Sequence, residues 1–284
     1  MNNDLVITLM NRLGSIDPPG CLSEFVEHPF PPYRKSHCVE VGFVLEHRFA
    51  FYYWIKCKQE LQLDRRTNER TTDEAFMPPD LVTWDWHDDV GAECDYIESE
   101  LLALNQADEE EVALFCWAGL RQINDGQIAP ALWLNALGNV YVIQKQRRDC
   151  KSENRSFTDR FGNEHQVFYF RSLKDFPPTF ERTNSRTGVI WDIDMDYFTQ
   201  GRSVDDQWYT PPLSGEDITA MLQPNTPWMP LILGDLKAIT IALEPKYTGG
   251  MSVSLELYRH WESALFAAPL FNKKCRWRKG VVKN

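Results

Sequence analysis

Asp85, His87 and Asp89 stand two apart in Trp84-Asp-Trp-His-Asp-Asp89, directly after the apolar run Leu81-Val-Thr-Trp84. In an extended strand, side chains at i, i+2 and i+4 share one face. Two carboxylates and an imidazole would then converge. Carboxylates gathered in that way repel one another and lose hydration, and a divalent cation relieves both costs. A second stretch has the same period. Thr187-Gly-Val-Ile-Trp-Asp192-Ile-Asp194-Met-Asp196-Tyr-Phe198 reads as a buried strand that ends in acids spaced by two. Two acid-rich strand ends predict one shared metal centre.

Carboxylates with few imidazoles and no thiolate suit hard or borderline ions such as Mn²⁺ and disfavour a structural zinc. His47 joins the candidates because it follows a strand and leads into a helix, where open α/β sheets place their ligands. Four acids (Asp85, Asp89, Asp192, Asp194) and two histidines (His47, His87) exceed one ion's usual supply. They suit two ions with bridging carboxylates, an arrangement that activates water for hydrolysis.

The elements that must hold these residues alternate between strand and helix. Strands are predicted at 39–45, 81–84, 140–143, 166–170, 188–194 and 238–243. Helices are predicted at about 48–63, 95–105, 107–123, 128–137, 215–223, 228–236 and 251–267, with Ser214 as the cap of the 215–223 helix. Residues 64–77, 174–187 and 199–215 read as loops, and 145–164 as an exposed excursion. The turn at 161–165 before the 166–170 strand predicts a hairpin. The pattern implies an α/β fold, a three-layer sandwich with a mostly parallel central sheet, in one domain over 1–284. Residues 1–37 form a proline-rich arm with a short helix at about 4–12, and 269–284 a basic tail. His47, Asp85, His87, Asp89, Asp192, Asp194 and Glu244 all fall at strand carboxyl ends, so they can share one rim of the sheet.

Composition narrows the classes. A net charge of −11 argues against a general nucleic-acid surface. Seven cysteines, an odd number without Cys-x-x-Cys, fit reduced thiols in a cytoplasmic protein. No apolar run has the length of a membrane span or a signal segment. His28 and His37 read as surface or turn residues, His165 as structural, and His260 as packed or exposed. Lys273, Lys274, Arg276, Arg278, Lys279 and Lys283 crowd the tail as a solvated basic end.

Taken together, the motif set resembles the binuclear manganese ureohydrolases, and its wording is similar to the peptide arginases of ribosomal-peptide biosynthesis (the OspR type). The residues that carry the resemblance are Glu46-His47, Thr83-Trp-Asp-Trp-His-Asp-Asp89, Trp191-Asp-Ile-Asp-Met-Asp-Tyr-Phe198 and Ile241-Ala-Leu-Glu-Pro-Lys-Tyr-Thr-Gly-Gly250, within about 38–268. The resemblance implies an arginase/deacetylase-like fold and two Mn²⁺ ions. It implies hydrolysis of arginine side chains in a precursor peptide to ornithine, with release of urea. His47, Asp85, Asp89 and Asp192 would hold one ion. Asp85, His87, Asp192 and Asp194 would hold the other, with Asp85 and Asp192 bridging. Glu244 would pair with the guanidinium through two parallel N–H bonds, and Asp89 and Glu244 are the candidate catalytic residues. Asp88, Asn124 and Tyr247 are candidates for the substrate rim. The arginase pattern Asp-x-Asp-x-x-Asp-Pro is absent, since Asp196 comes one position early with no proline after it, and Asp196 reads as structural. No histidine corresponds by spacing to the arginase proton shuttle. Other readings of the same residues are an amide deacetylase, a hydrolase of free arginine or agmatine, an aspartyl-phosphate phosphatase built on Asp192-Ile-Asp194, and a non-catalytic metal-binding protein.

Overall fold

The computed structural model describes residues 22–30, 38–67, 76–91, 97–145, 154–184, 187–200, 202–204, 207–209, 211–272 and 275–281. The helix expected at 4–12, His37, Lys273, Lys274 and Lys283 lie outside them. An eight-stranded sheet forms the middle layer. Its strands are β1 (Leu22–Glu27), β2 (Cys38–Val44), β3 (Asp80–Asp85), β4 (Val140–Gln144), β5 (Arg155–Thr158), β6 (Glu164–Phe170), β7 (Val189–Asp194) and β10 (Leu236–Ala242). They run in the order β1-β2-β10-β7-β3-β4-β6-β5. The six inner strands are parallel, and β1 and β5 close the edges antiparallel.

Parallel strands covered on both faces need near-continuous apolar runs, and β3, β4 and β7 are buried along their whole length. Alternate residues of these strands divide between two cores. Leu81, Val140, Val142 and Ile190 pack with α1 (Ala50–Thr67), α2 (Glu98–Ala103), α3 (Glu109–Ala118) and α4 (Ile128–Trp133). Val82, Trp84, Trp191, Ile193, Ile239 and Ile241 pack with α5 (Phe176–Thr183), α6 (Gly215–Met221), α7 (Met229–Gly234) and α9 (Met251–Leu265) on the other face. The one-turn helix α8 (Pro245–Thr248) follows β10. This is an α/β architecture with helices on both sides of a mostly parallel sheet. Among the described residues no helix is long and apolar enough to cross a membrane, and Cys38, Cys57, Cys116 and Cys275 form no disulfide.

Several elements depart from the reading of the sequence. Part of the N-terminal arm is strand β1, paired with β2 over Leu22–Glu27. The stretch 174–187 contains α5. Pro177 and Pro178 start that helix, where a missing N–H breaks no bond, and Phe176 and Phe180 bury against the core. The 145–164 excursion contributes β5, which completes the expected hairpin with β6. The 199–215 loop holds a small hairpin, β8 (Arg202–Val204) with β9 (Gln207–Tyr209). The helix expected to reach Ile123 stops at Ala118, before Gly119, and the one expected to reach 137 stops at Trp133. Ser214 caps α6 as expected, accepting from the Asp217 N–H at 3.1 Å. His28 is buried, with Nδ1 accepting from the Phe30 N–H in the turn after β1.

Candidate metal centre

Four neighbouring strands, β2, β10, β7 and β3, deliver the candidate residues to one carboxyl rim. The β2–β10 pairing continues past both strands, since the Glu244 N–H donates to the Leu45 carbonyl at 3.1 Å. His47 and Glu244 therefore emerge side by side, and the His47 N–H donates to Glu244 Oε1 at 2.5 Å. Asp85 ends β3 and Asp194 ends β7, on strands that are direct neighbours.

The triplet Asp85, His87, Asp89 gathers around Asp85, with His87 and Asp89 in different groups, and not by strand alternation. β3 ends at Asp85. The chain then turns, and Asp89 takes a left-handed conformation (φ 42°) that swings its carboxylate back to the rim. His47 sits at the middle of the cluster, fully buried. Its Nδ1 lies 2.8 Å from Asp89 Oδ2, 3.3 Å from Asp85 Oδ2 and 3.4 Å from Asp194 Oδ2. His47, Asp85, Asp89 and Asp194 each offer one ligand atom, all within 4.8 Å of one another. Asp85, His87 and Asp196 form a second such group. The two groups share Asp85.

Asp192, expected to bridge two ions, stands in neither group. Its Oδ2 lies 2.7 Å from Nε2 of His47, on the far side of the ring, and accepts from Thr83 Oγ1 at 2.7 Å. Thr240 Oγ1 donates to its Oδ1. One strand turn earlier than the cluster, its carboxylate is already satisfied by neighbouring strands. The acid pair that reaches the cluster is Asp194 with Asp196. Asp196 is carried by the 3₁₀ turn Met195–Phe198, which Asp194 Oδ1 caps through the Asp196 N–H. Asp196 Oδ1 accepts from the Trp86 N–H at 3.0 Å, and Oδ2 lies 3.2 Å from His87 Nδ1. The acids at 192, 194 and 196 share one spacing, so spacing alone did not choose between the two pairs.

The electrostatics are those of crowded acids. Burial, then repulsion from Asp85, raises the Asp89 carboxyl well above its usual range. Burial raises Asp194 in the same way, with Asp196 and Asp85 adding to it. Burial also raises Asp196, and Asp85 adds to it. Burial opposes ionisation of Asp85 too, but contacts with His47 and His87 hold it low. Burial would lower His47, yet Asp192, Asp85 and Asp89 drive it well above the usual imidazole value. His87 is likewise pushed up to about 11, against burial, by Asp196 and Asp85. Asp85 Oδ2 is buried and, among the described residues, has no hydrogen-bond donor. A donor set of carboxylates and imidazoles, with a buried oxygen left over, fits a divalent cation.

Sequence reasoning missed the outer support. Gln127 Nε2 donates to Asp89 Oδ2 at 2.9 Å, and Thr83 and Thr240 fix Asp192. Lys145 Nζ donates to the Tyr197 carbonyl and, at 3.4 Å, to that of Thr199, and so clamps the turn that carries Asp196. Threonines at 83 and 240 have no spacing signal, because each meets Asp192 across a strand boundary.

A cavity of about 370 Å³ opens on the cluster. His87, Asp88, Asp89, Ile123, Asn124, Asp125, Asp194, Glu244 and Tyr247 line it. All three rim candidates, Asp88, Asn124 and Tyr247, therefore reach it. The Tyr247 ring meets His87 edge-on at 5.7 Å, and its hydroxyl donates to the Ile123 carbonyl at 3.4 Å. Asn124 Nδ2 donates to Glu244 Oε1 at 2.6 Å. Burial raises the Glu244 carboxyl to about 7, the His47 N–H only partly offsetting it. No family model matches the chain, and no curated protein matches it.

Proposed function

We propose that the chain is a two-metal hydrolase that releases urea from arginine side chains of a precursor peptide and leaves ornithine. The observation that carries this reading is Glu244, a buried carboxylate on the wall of the cavity that opens on both ligand groups. In this reading His47, Asp85, Asp89 and Asp194 hold one Mn²⁺, and Asp85, His87 and Asp196 hold the other. Bound divalent ions supply an activated water at neutral pH and polarise the bond to be cut.

The chain's own residues do the rest. Glu244 receives the guanidinium and turns its carbon toward the cluster. The positive charge of that group favours the ionised carboxylate, against the burial that raises it. Asp89, which lines the same cavity, is the proton acceptor. Tyr247 and Ile123 wall the side chain. An acyl-lysine is neutral and would leave Glu244 buried without a cation, so the site suits a guanidinium better than an amide.

The lining also favours a peptide over free arginine. Among the described residues that line the cavity there is no lysine or arginine, while Asp88 and Asp125 flank it. A free α-carboxylate finds no lysine or arginine partner among these residues, whereas an amide in a peptide needs none. The test is to incubate the Mn²⁺-loaded protein with an arginine peptide, free arginine and agmatine, and to measure urea and the mass loss of CH₂N₂ from the peptide. Urea from the peptide, with far less from free arginine, is the expected result. Urea from free arginine at an equal rate would refute peptide selectivity, and none from any guanidine would refute the guanidinium assignment.

A further inference from the structure

A carboxylate that pairs with a guanidinium commonly offers both oxygens to two parallel N–H groups. Glu244 does not have both to offer. Its Oε1 already accepts from the His47 N–H at 2.5 Å and from Asn124 Nδ2 at 2.6 Å. Two donors use the two lone pairs of that oxygen. No described residue donates to Oε2, so one oxygen remains for a ligand.

Asn124 supplies what is missing. It lines the cavity, is 93% buried (relative exposure 7%), and its Oδ1 has no hydrogen-bond partner among the described residues. Its orientation is fixed by chemistry, since only the amide nitrogen can donate to a carboxylate oxygen. The acceptor Oδ1 is therefore held next to Glu244 by that same hydrogen bond. Backbone strain gathers at the same place. Asn124 (φ 57°), Glu244 (φ 40°) and Asp89 (φ 42°) are left-handed non-glycine residues, and all three line this one cavity. Strained residues of this kind persist where the surrounding structure holds them in place, and they concentrate at ligand sites.

We infer that the guanidinium is read by a composite fork, Oε2 of Glu244 and Oδ1 of Asn124, and that Asn124 sets the preference for arginine over lysine. This rests on the guanidinium reading above and names the second acceptor for it. A guanidinium has N–H groups on separate nitrogens in one plane and can satisfy both acceptors at once. A lysine ammonium carries its three N–H groups on a single nitrogen, so it does not match two acceptors side by side as the planar fork does, and it gives up a tighter hydration shell on entering.

The experiment compares an arginine peptide with the same peptide carrying lysine in its place. For the Mn²⁺-loaded protein, in wild type, Asn124→Ala and Asn124→Gly, binding of the arginine peptide is read from its KM, or by calorimetry where no urea is released, and that of the lysine peptide from its inhibition constant or by calorimetry. The glycine variant keeps the left-handed backbone at no cost, and melting temperature and Mn²⁺ content establish that both variants fold. Wild type is expected to prefer the arginine peptide by roughly tenfold to a hundredfold, about the worth of one hydrogen bond involving a charged group. Both variants should lose most of that preference through weaker binding of the arginine peptide alone. If Asn124 only braces Glu244, both peptides weaken together and the ratio stays at its wild-type value, which overturns the inference. A wild type without preference also overturns it. Urea release with an unchanged ratio would remove the fork and keep the function. An Asn124-dependent preference without urea release would keep the fork and remove the function.

Discussion

Asp192 Oδ2 lies 2.7 Å from Nε2 of His47, while Nδ1 of the same ring faces Asp85, Asp89 and Asp194. The two ring nitrogens thus look in opposite directions, one to the cluster and one to a carboxylate behind it. A histidine that ligates through one nitrogen is oriented by an acceptor on the other, which fixes its tautomer. Asp192 takes that supporting place, and Thr83 and Thr240 hold it there.

The first prediction concerns that support. Asp192→Asn should weaken Mn²⁺ affinity by roughly 10- to 100-fold, the usual cost of losing such a partner. Asp194→Asn, which removes an oxygen from one ligand group itself, should abolish loading of that group and leave one ion per chain. Titration of each variant with Mn²⁺ separates the two. Equal losses would place Asp192 among the ligands.

Glu244→Gln should leave metal loading intact, since Glu244 belongs to neither ligand group. It should lower kcat/KM for an arginine peptide by at least roughly a hundredfold, because a neutral amide cannot balance a buried guanidinium. Metal analysis and kinetics on the same preparation check this. Full activity in the variant would exclude Glu244 as the guanidinium partner.

Gly42→Ala tests how β2 is seated on α1. A Cβ at Gly42 would come within 2.6 Å of ring atoms of Tyr53, a residue of the buried face of α1. Overpacking of this kind costs about 1–3 kcal/mol. The melting temperature should fall by several degrees. Because β2 leads directly to His47, Mn²⁺ affinity should fall with it.

Lys58 offers a pH test away from the metal centre. Burial pushes its ammonium down to about 8, the Arg160 charge assisting, although Nζ donates to the Leu134 carbonyl at 2.8 Å and to Gln106 Oε1 at 2.9 Å. In the unfolded chain the value is about 10.4. Between the two the unfolded state binds more protons, so this group's cost to stability is fully present below about 8 and is relieved as pH rises toward the unfolded value. Wild type should therefore gain stability relative to Lys58→Met between pH about 7.5 and 10, a window set by these two values. Parallel melting curves at both pH values would show it, and a constant difference would contradict it.

The layers of the fold were legible because buried parallel strands are written as continuous apolar runs, as in Val140-Tyr-Val-Ile143 and Val189-Ile-Trp191. The rim was legible because chemistry-bearing residues followed each run. What the sequence hid was of three kinds. The edge strand β1 carries exposed Leu22 and Phe25 and gives no alternating signal. The path of Asp89 depends on one left-handed residue rather than on strand period. The choice between Asp192 and Asp196 depends on where β7 ends, and three acids at one spacing leave that end unmarked. The partnership of Asn124 with Glu244 joins residues 120 apart in the chain, and no local pattern encodes it.

The most direct test of the metal centre is the Mn²⁺ stoichiometry of purified, metal-saturated protein by elemental analysis, in wild type, Asp196→Asn and Asp192→Asn. Two ligand groups sharing Asp85 predict two ions per chain in wild type, one in Asp196→Asn, and two at saturation in Asp192→Asn. One ion or none in wild type would contradict a two-metal centre. Retention of both in Asp196→Asn, with loss in Asp192→Asn, would return the bridging role to Asp192.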